Sequence, residues 1–307
     1  MCFCTILVIL VLSINERYVR LNLDNDNVQK FDKVPYDIQY CNFGSSHGLN
    51  DYCYDELDNE FITFNFALPS QSLLYDYKIL EYYKDHISKD AIVFINISYF
   101  SFYGIDETMM DNFESKNKRY YKFLPRESIL NFDWKTYIYE VKFPSLCAYD
   151  KLFLGLLFGE EKQEDEWETQ TAYDIDMDAY SKAAYERHII KNRVDENGNR
   201  IINSENVEAL YKMIEICRDI GATPILITTP YLTEYTDRVK ENSGFYDDFY
   251  DKIDQIVSNT GVEYYNYAFD KRFSNNYALF MNADHLNKTG ALRFVDILMQ
   301  EVVEGRR

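Results

Sequence analysis

The sequence predicts an α/β fold in which helices cover both faces of a parallel sheet. Two observations carry this prediction. Strand-like and helix-like segments alternate along the chain, and two of the strand-like segments, 91–99 and 224–228, are nearly continuous apolar runs. Runs of this kind are typical of strands buried on both faces, as in parallel sheets. With 307 residues, the chain is long enough for one large domain or two small ones.

The elements follow each other in a regular order. Helices are predicted where apolar residues recur at three- and four-residue spacing, and the terminal helix has an inner stripe of Leu292, Val295, Leu298 and Val302. The predicted strands are 38–43, 61–66, 91–99, 224–228 and 262–267. The predicted helices are 49–57, 70–86, 207–220 and 246–259, followed by the terminal helix.

The segment 115–203 interrupts this alternation, and we interpret it as an insertion between strands. It contains an aromatic-rich helical piece at 145–158, an acidic run at 160–178 and a hairpin pattern at 194–201 around Asn-Gly. We interpret the acidic run as a solvated lid.

Composition argues against metal and nucleic-acid partners. Three aspartates at 174–178 resemble the start of a calcium loop, but Ala179 and Tyr185 stand where such a loop needs glycine and glutamate. The six cysteines are scattered, so neither a zinc site nor a disulfide framework is expected. No cofactor is predicted. Against 51 acidic residues there are 32 lysines and arginines, and the net charge of −19 disfavours binding to phosphate backbones.

The N-terminal residues 1–20 are predicted to form a hydrophobic anchor or signal-like segment. Residues 2–14 are apolar, but this run is shorter than the roughly 20 residues of a membrane-spanning helix. No basic residue precedes the run and no small-residue cleavage site follows it. We expect a membrane-anchored protein with a folded domain at 21–307. The extracytoplasmic side is expected from function and not from charge, because Arg17 and Arg20 after the apolar run weakly favour the opposite orientation. The alternative is a cytoplasmic protein in which this segment is buried.

The first segment with catalytic potential is Phe-Gly-Ser-Ser-His-Gly at 43–48, directly after the first predicted strand. Gly44 permits a sharp turn, which would leave the Ser46 hydroxyl exposed at the carboxyl end of the strand. A helix beginning there would supply free N–H groups to a developing oxyanion. A serine at such a turn is otherwise a helix cap.

The second segment is Asn-Ala-Asp-His-Leu-Asn at 282–287, between the last predicted strand and the terminal helix. A loop histidine beside a carboxylate or an amide can take a proton from a serine, so His285 is a candidate general base. The alternative is a cap or a surface residue.

Together, the two segments resemble the SGNH/GDSL hydrolase superfamily, and the resemblance covers most of the chain after residue 36. It implies a three-layer α/β/α sandwich with a mostly parallel, flavodoxin-like five-stranded sheet. It also implies Ser46 as nucleophile and His285 as base. The segments 65–72 and 95–102 fall where the family places its oxyanion loops. The residues implied in oxyanion or substrate binding are the Ser46 N–H, Gly44, His47, Gln71 and Ser98.

The position of the catalytic acid departs from the family pattern. Asn282 stands three residues before His285, where the family has aspartate, and the family's Gly-Asp-Ser is Gly-Ser-Ser here. Asparagine can orient an imidazole but cannot stabilise its positive charge. Asp284 is therefore the favoured charge donor, with Asn282 as the alternative.

The sequence also resembles envelope-associated members of the superfamily, those similar to D-alanyl transfer proteins and polysaccharide O-acyltransferases. This resemblance implies an esterase or O-acyltransferase acting on an acylated cell-envelope glycan or a related ester, with envelope acylation proteins as partners. The alternative is a non-catalytic scaffold in an acylation complex.

Overall fold

The computed structural model describes residues 2–23, 27–57, 60–146, 166–241 and 243–306. Its contacts divide the chain into two compact units. The N-terminal unit consists of Met1–Val34 and Thr108–Gln163, and the sheet unit consists of Pro35–Glu107 and Glu164–Arg307.

The sheet unit has a five-stranded sheet in which every neighbouring pair is parallel. The strands are β1 (Ile38–Phe43), β2 (Thr63–Asn65), β3 (Ile87–Asn96), β4 (Thr223–Thr228) and β5 (Glu263–Asn266). Their spatial order is β2-β1-β3-β4-β5, which is the flavodoxin-like order. The predicted three-layer α/β/α class is confirmed.

The helices lie between the strands, after the last strand and in the N-terminal unit. They are α1 (Cys2–Leu23), α2 (Ser46–Asn50), α3 (Leu73–Tyr83), α4 (Phe113–Asn117), α5 (Trp134–Thr136), α6 (Glu166–Thr169), α7 (Met177–Tyr185), α8 (Ser204–Asp219), α9 (Thr233–Glu241), α10 (Ser243–Thr260) and α11 (Lys288–Leu298). Four of them continue as tighter or wider turns at Lys84–His86, Tyr137–Lys142, Glu186–Ile190 and Met299–Val303. Further 3₁₀ turns lie at Gln29–Lys33, Glu107–Met109, Tyr120–Lys122, Arg126–Ser128, Pro144–Leu146, Ala172–Asp174, Tyr277–Leu279 and Glu304–Arg306.

The crossover helices α3, α8 and α10 lie on one face of the sheet, because right-handed crossovers toward β5 place them there. α8 packs against α3, β4 and α10. The terminal helix α11 belongs to the other face, where the ring of Phe294 contacts Tyr52 and Tyr267. These two helical layers bury the sheet, whose residues Cys41, Phe43, Val93 and Ile225 are fully buried.

Element boundaries differ from the predicted ones where polar residues obscure the pattern. β3 begins at Ile87 rather than at 91, because Ile87 already pairs with Ile38 while the intervening Lys89 and Asp90 are exposed. β2 and β5 are shorter than predicted. α8 begins at Ser204, before its apolar stripe, because the side chain of Asn203 caps it by accepting from the Asn206 N–H.

The helix predicted at 49–57 is wrong in its bounds, since α2 spans only Ser46–Asn50. The side-chain amide of Asn65 donates to the backbone carbonyls of Gly48, Leu49 and Tyr52 at 3.0, 3.1 and 3.3 Å. These carbonyls are thereby satisfied without another helical turn, so the chain leaves the helix.

In the N-terminal unit, α1 is tied to the segment that follows α5. The Asn15 amide donates to the Lys142 carbonyl at 2.8 Å and accepts from the Ser145 hydroxyl at 2.8 Å. Seven consecutive apolar side chains of α1, from Ile6 to Leu12, are exposed to 36–61%. Among the described residues, every helix falls short of the combined length and hydropathy that a bilayer-spanning segment needs.

The predicted insertion at 115–203 falls into both units, with its residues up to Gln163 in the N-terminal unit and the rest in the sheet unit. The helical piece predicted at 145–158 lies outside the described residues from 147 onward. The predicted hairpin is a turn closed by a single bridge between Val194 and Arg200.

The three aspartates that resemble the start of a calcium loop have other partners in the structure. Two of them lie at the N-termini of helical segments, and the third makes an ion pair. The Asp174 side chain takes part in a capping box, and Asp176 accepts from the Ala179 N–H at the start of α7. Asp178 pairs with Arg238.

Candidate functional site

The candidate site lies at the switch point of the sheet. β1 and β3 are neighbours, but the chain leaves them in opposite directions, and ligands of such sheets bind at the carboxyl ends of these two strands. Ser46 lies three residues beyond the end of β1, and Ser98 lies two residues beyond the end of β3. The loop that carries His285 joins β5 to α11.

The turn after β1 requires glycine. Gly44 has φ +143°, and a Cβ atom there would lie 2.8 Å from the Cβ of Asn96. Its N–H donates to the carboxylate of Asp76 at 2.9 Å. The chain therefore passes close to β3 before α2 begins at Ser46.

The structure brings the two segments of interest together. His285 Nε2 lies 2.9 Å from Ser46 Oγ, across 239 residues of sequence. Ser46 is half-buried, whereas His285 is only 6% exposed. A hydroxyl with one face open and an imidazole at hydrogen-bond distance can act as nucleophile and base.

Two oxygens face the other nitrogen of His285. Its Nδ1 lies 3.0 Å from the Asn282 side-chain oxygen and 3.2 Å from Asp284 Oδ1. Only the contact with Asn282 has good hydrogen-bond geometry. The same asparagine oxygen accepts from the backbone N–H groups of Asp284 and His285 at 3.1 and 2.9 Å. Asn282 therefore holds the loop and the ring orientation, while Asp284 brings the negative charge.

Asp284 is fully buried among three histidines. Its Oδ2 lies 3.3 Å from His47 Nε2 and 3.4 Å from His188 Nδ1, in addition to the approach of Oδ1 to His285. Burial alone would raise the pKa of Asp284, but the charge and hydrogen bonds of the histidines outweigh burial and hold it well below its ordinary value. The carboxylate is therefore ionised at neutral pH.

The pKa values of the three histidines separate their roles. Burial lowers the pKa of His47 to about 4 and that of His188 well below its ordinary value. Burial also acts to lower the pKa of His285, but the Asp284 carboxylate reverses the effect and raises it above its ordinary value. His285 is thus the imidazole of the three that is suited to take up a proton near neutral pH.

His47 and Ser98 form a buried pair behind the site. His47 Nδ1 lies 2.8 Å from Ser98 Oγ, and the His47 ring stacks on that of His285 with centroids 4.6 Å apart. The backbone N–H of Ser98 donates to the Ser101 hydroxyl at 2.9 Å. In the structure, Ser98 holds His47, and the predicted oxyanion role of Ser98 stays a prediction.

Gln71 supports the turn at Gly44. Its side-chain amide donates to Asp76 at 2.6 Å and lies 3.3 and 3.4 Å from the carbonyls of Phe66 and Gly44. Because protein oxygens already accept from this group, its function in the structure is to hold the backbone before Ser46. Its predicted contribution to an oxyanion hole stays a prediction.

Asp51 is a site residue that the sequence analysis missed. It is fully buried, and its Oδ1 accepts from the backbone N–H of Leu286 at 2.8 Å, which ties the end of α2 to the histidine loop. Burial raises its pKa to about 7, although His285 and its hydrogen bonds act in the opposite direction. The available signal was its position directly after the Ser46 segment.

His188 was also missed, because it lies in the predicted insertion. Its Nδ1 is 3.0 Å from the Tyr235 hydroxyl, and its Nε2 accepts from the guanidinium of Arg187 at 3.3 Å. The signal in the sequence was weak: only four histidines are present, and this one follows an arginine.

One group of described residues could hold a metal ion. His47, Asp284 and His285 offer ligand atoms that lie within 4.8 Å of one another. In the structure, the imidazoles of His47 and His285 contact the hydroxyls of Ser98 and Ser46.

No protein-family model matches the sequence, and no curated protein matches it. Among solved structures, the chain is similar to a crystal structure from Bacteroides fragilis NCTC 9343 described as "a putative acylhydrolase". The TM-score is 0.42 and the sequence identity is 10%, over 93% of this chain and 97% of that chain.

Proposed function

We propose that this protein is a serine-dependent acyl-ester hydrolase or O-acyltransferase. The observation that carries the proposal is the contact of 2.9 Å between Ser46 Oγ and His285 Nε2, with an ionised Asp284 3.2 Å from the opposite ring nitrogen. This order of hydroxyl, imidazole and carboxylate is what activation of a serine requires.

In the first half-reaction, His285 Nε2 takes the proton of the Ser46 hydroxyl as Oγ bonds to the ester carbonyl carbon. The tetrahedral intermediate collapses when the bond to the alcohol oxygen breaks, and His285 returns the proton to that oxygen. Acyl-Ser46 and a free alcohol result. Asp284 stays ionised and stabilises the imidazolium.

In the second half-reaction, water or a sugar hydroxyl gives its proton to His285 and attacks the acyl-serine carbonyl. Breaking of the bond to Oγ then regenerates Ser46, which receives the proton from His285. With water the product is a carboxylic acid, and with a sugar hydroxyl it is a new ester. The Ser46 N–H is the proposed oxyanion donor.

A serine pair in the chain allows a matched test. Hydrolysis of 4-nitrophenyl acetate by Ser46→Ala is expected to fall to background, whereas Ser45→Ala retains activity. The Ser45 hydroxyl is buried and has no hydrogen-bond partner among the described residues, so its removal should change the free energy of unfolding little. Equal activity of both variants would exclude Ser46 as the nucleophile, provided that circular dichroism shows both to be folded.

A second candidate is a non-catalytic scaffold in an envelope acylation complex. The observation that favours it is the amide of Asn282, rather than a carboxylate, at 3.0 Å from His285 Nδ1. A fluorophosphonate probe separates the two candidates, because only an activated serine reacts with it. Failure of the probe to label folded protein across pH 6–9 would favour the scaffold.

The proposed substrate is an acylated cell-envelope glycan or a related ester.

Membrane anchoring through residues 1–20 is also part of the proposal. The exposed apolar side chains of α1 support the anchoring. Flotation of the full chain with phosphatidylglycerol vesicles tests the proposed anchoring, with Leu7→Asp/Leu10→Asp as the variant expected to stay unbound. Retention of vesicle binding by this variant, or absence of binding by the unmodified chain, would contradict it.

A further inference from the structure

Two arginines near Asp284 and its three histidines have no carboxylate partner among the described residues. Arg187 is exposed, and its Nε donates to His188 Nε2 at 3.3 Å. The other ring nitrogen of His188 lies 3.4 Å from Asp284. The guanidinium of Arg187 is therefore one imidazole away from the carboxylate of the proposed triad.

Arg193 lies on the same side of the cluster. Its guanidinium carbon is 5.2 Å from the centre of the Phe100 ring, which in turn is 5.6 Å from the ring of His47. Its NH1 donates to the carbonyls of Arg187 and Lys191 at 2.9 and 3.1 Å, which fixes the backbone that carries Arg187. Burial lowers its pKa to about 10, so the group stays charged at neutral pH.

Neither Arg187 nor Arg193 forms an ion pair with a described carboxylate, although the chain has 51 acidic residues. Three other arginines of the sheet unit, Arg200, Arg238 and Arg272, each pair with an aspartate. The positive charge of Arg187 acts to lower the pKa values of the buried His47 and His188, and it opposes the larger effect of Asp284 on the pKa of His285. Its field therefore reaches the proposed base. A fixed positive charge at that place favours an anion in the site.

We propose that Arg187, with Arg193 behind it, binds a carboxylate of the substrate, so that the preferred substrates are acyl esters that carry a carboxylate near the ester bond. The planar guanidinium matches a carboxylate in geometry and charge. This inference rests on the proposed esterase or acyltransferase function, and it names the substrate class of that site.

The test compares a neutral ester with two carboxylate esters. 4-Nitrophenyl acetate is neutral, mono-4-nitrophenyl succinate carries the charge on the acyl part, and 3-carboxy-4-nitrophenyl acetate carries it on the alcohol part. We expect the unmodified protein to prefer one of the charged esters in kcat/KM by about tenfold or more, as for a charge-assisted contact. The preferred ester shows which half of the substrate faces Arg187.

The variants are read through the ratio of kcat/KM for the preferred charged ester to that for the neutral ester. Arg187→Gln is expected to lower this ratio about tenfold or more, chiefly through KM, and Arg187→Lys is expected to lower it less. Lys182→Gln removes the same charge from an exposed position of helix α7 and is expected to leave the ratio within about twofold. Arg187→Lys also serves if Arg187→Gln does not fold.

The outcomes distinguish the inference from the proposed function. If Ser46-dependent hydrolysis of the neutral ester is observed without preference for either charged ester, the inference is wrong and the proposed function stands. The inference is also wrong if the preference survives Arg187→Gln or falls equally in Lys182→Gln. If none of the three esters is hydrolysed in a Ser46-dependent manner, the proposed function itself fails.

Discussion

Replacement of Asp284 by asparagine separates the two candidates for the acidic partner of His285. The substitution removes the buried negative charge but leaves the Asn282 oxygen 3.0 Å from Nδ1, so the ring keeps a hydrogen-bond acceptor. At a separation of 3.2 Å between Nδ1 and Oδ1, an effective dielectric constant of about 20 gives a charge interaction of about 5 kcal/mol. If this interaction acts mainly on the transition state, kcat/KM falls by roughly 10³–10⁴.

The assay is steady-state hydrolysis of 4-nitrophenyl acetate between pH 5 and 9. In the unmodified protein the pKa of His285 is raised above its ordinary value of 6.5, so kcat/KM increases as the pH rises through that higher pKa. Asp284→Asn is expected to move this rise in kcat/KM to lower pH. Asp237→Asn, an exposed change in α9, is the control. If kcat/KM of Asp284→Asn falls by less than tenfold and its rise with pH stays at the same pH, Asp284 is not the acidic partner of His285.

Three further predictions concern residues that hold the site in place. Because the pKa of Asp51 is raised to about 7, ionisation of its buried carboxyl lowers the free energy of unfolding as the pH rises from about 4 to 7. Asp51→Asn lacks this ionisation, so urea titrations should show it to be more stable, relative to the unmodified protein, at pH 8 than at pH 4.5. Gly44→Ala should lower the free energy of unfolding by at least about 1–3 kcal/mol, because of its φ of +143° and the approach to Asn96. Ser98→Ala should lower it by about 1–3 kcal/mol by leaving His47 Nδ1 buried without its partner.

Each of these predictions has its own control. Gly261 also has a positive φ, of +65°, but nothing lies within 4 Å of an added Cβ atom, so Gly261→Ala should cost less than Gly44→Ala. A pH-independent difference between Asp51→Asn and the unmodified protein would contradict the raised pKa. Unchanged stability of Ser98→Ala would show that the hydroxyl is not needed by His47.

The fold class follows from patterns within single segments, whereas the flavodoxin-like strand order was expected from the family resemblance. The apolar run at 91–99 and the alternation of strands with helices require a covered parallel sheet, and such a sheet brings the loops after β1 and β5 to the same edge. The contact between Ser46 and His285 is consistent with the two loops lying at that edge. Their catalytic roles stay predictions that the experiments above test.

The remaining parts of the site depend on contacts that no local pattern encodes. His188 reaches Asp284 from the predicted insertion, where no local pattern indicates that a side chain lies beside the sheet. Asp51 was assigned to a helix because the sequence does not show that the amide of Asn65 ends α2 early. The choice between Asn282 and Asp284 depends on the turn of a single loop, since neighbouring side chains usually diverge along an extended chain.

The most direct measurement is the identification by peptide mass spectrometry of the residue that a fluorophosphonate modifies. Activation of the Ser46 hydroxyl by His285 predicts one adduct per chain, located on Ser46, with at least a hundredfold slower labelling in His285→Ala. An adduct on another residue, or equal labelling of Ser46 with and without His285, would contradict the proposed mechanism.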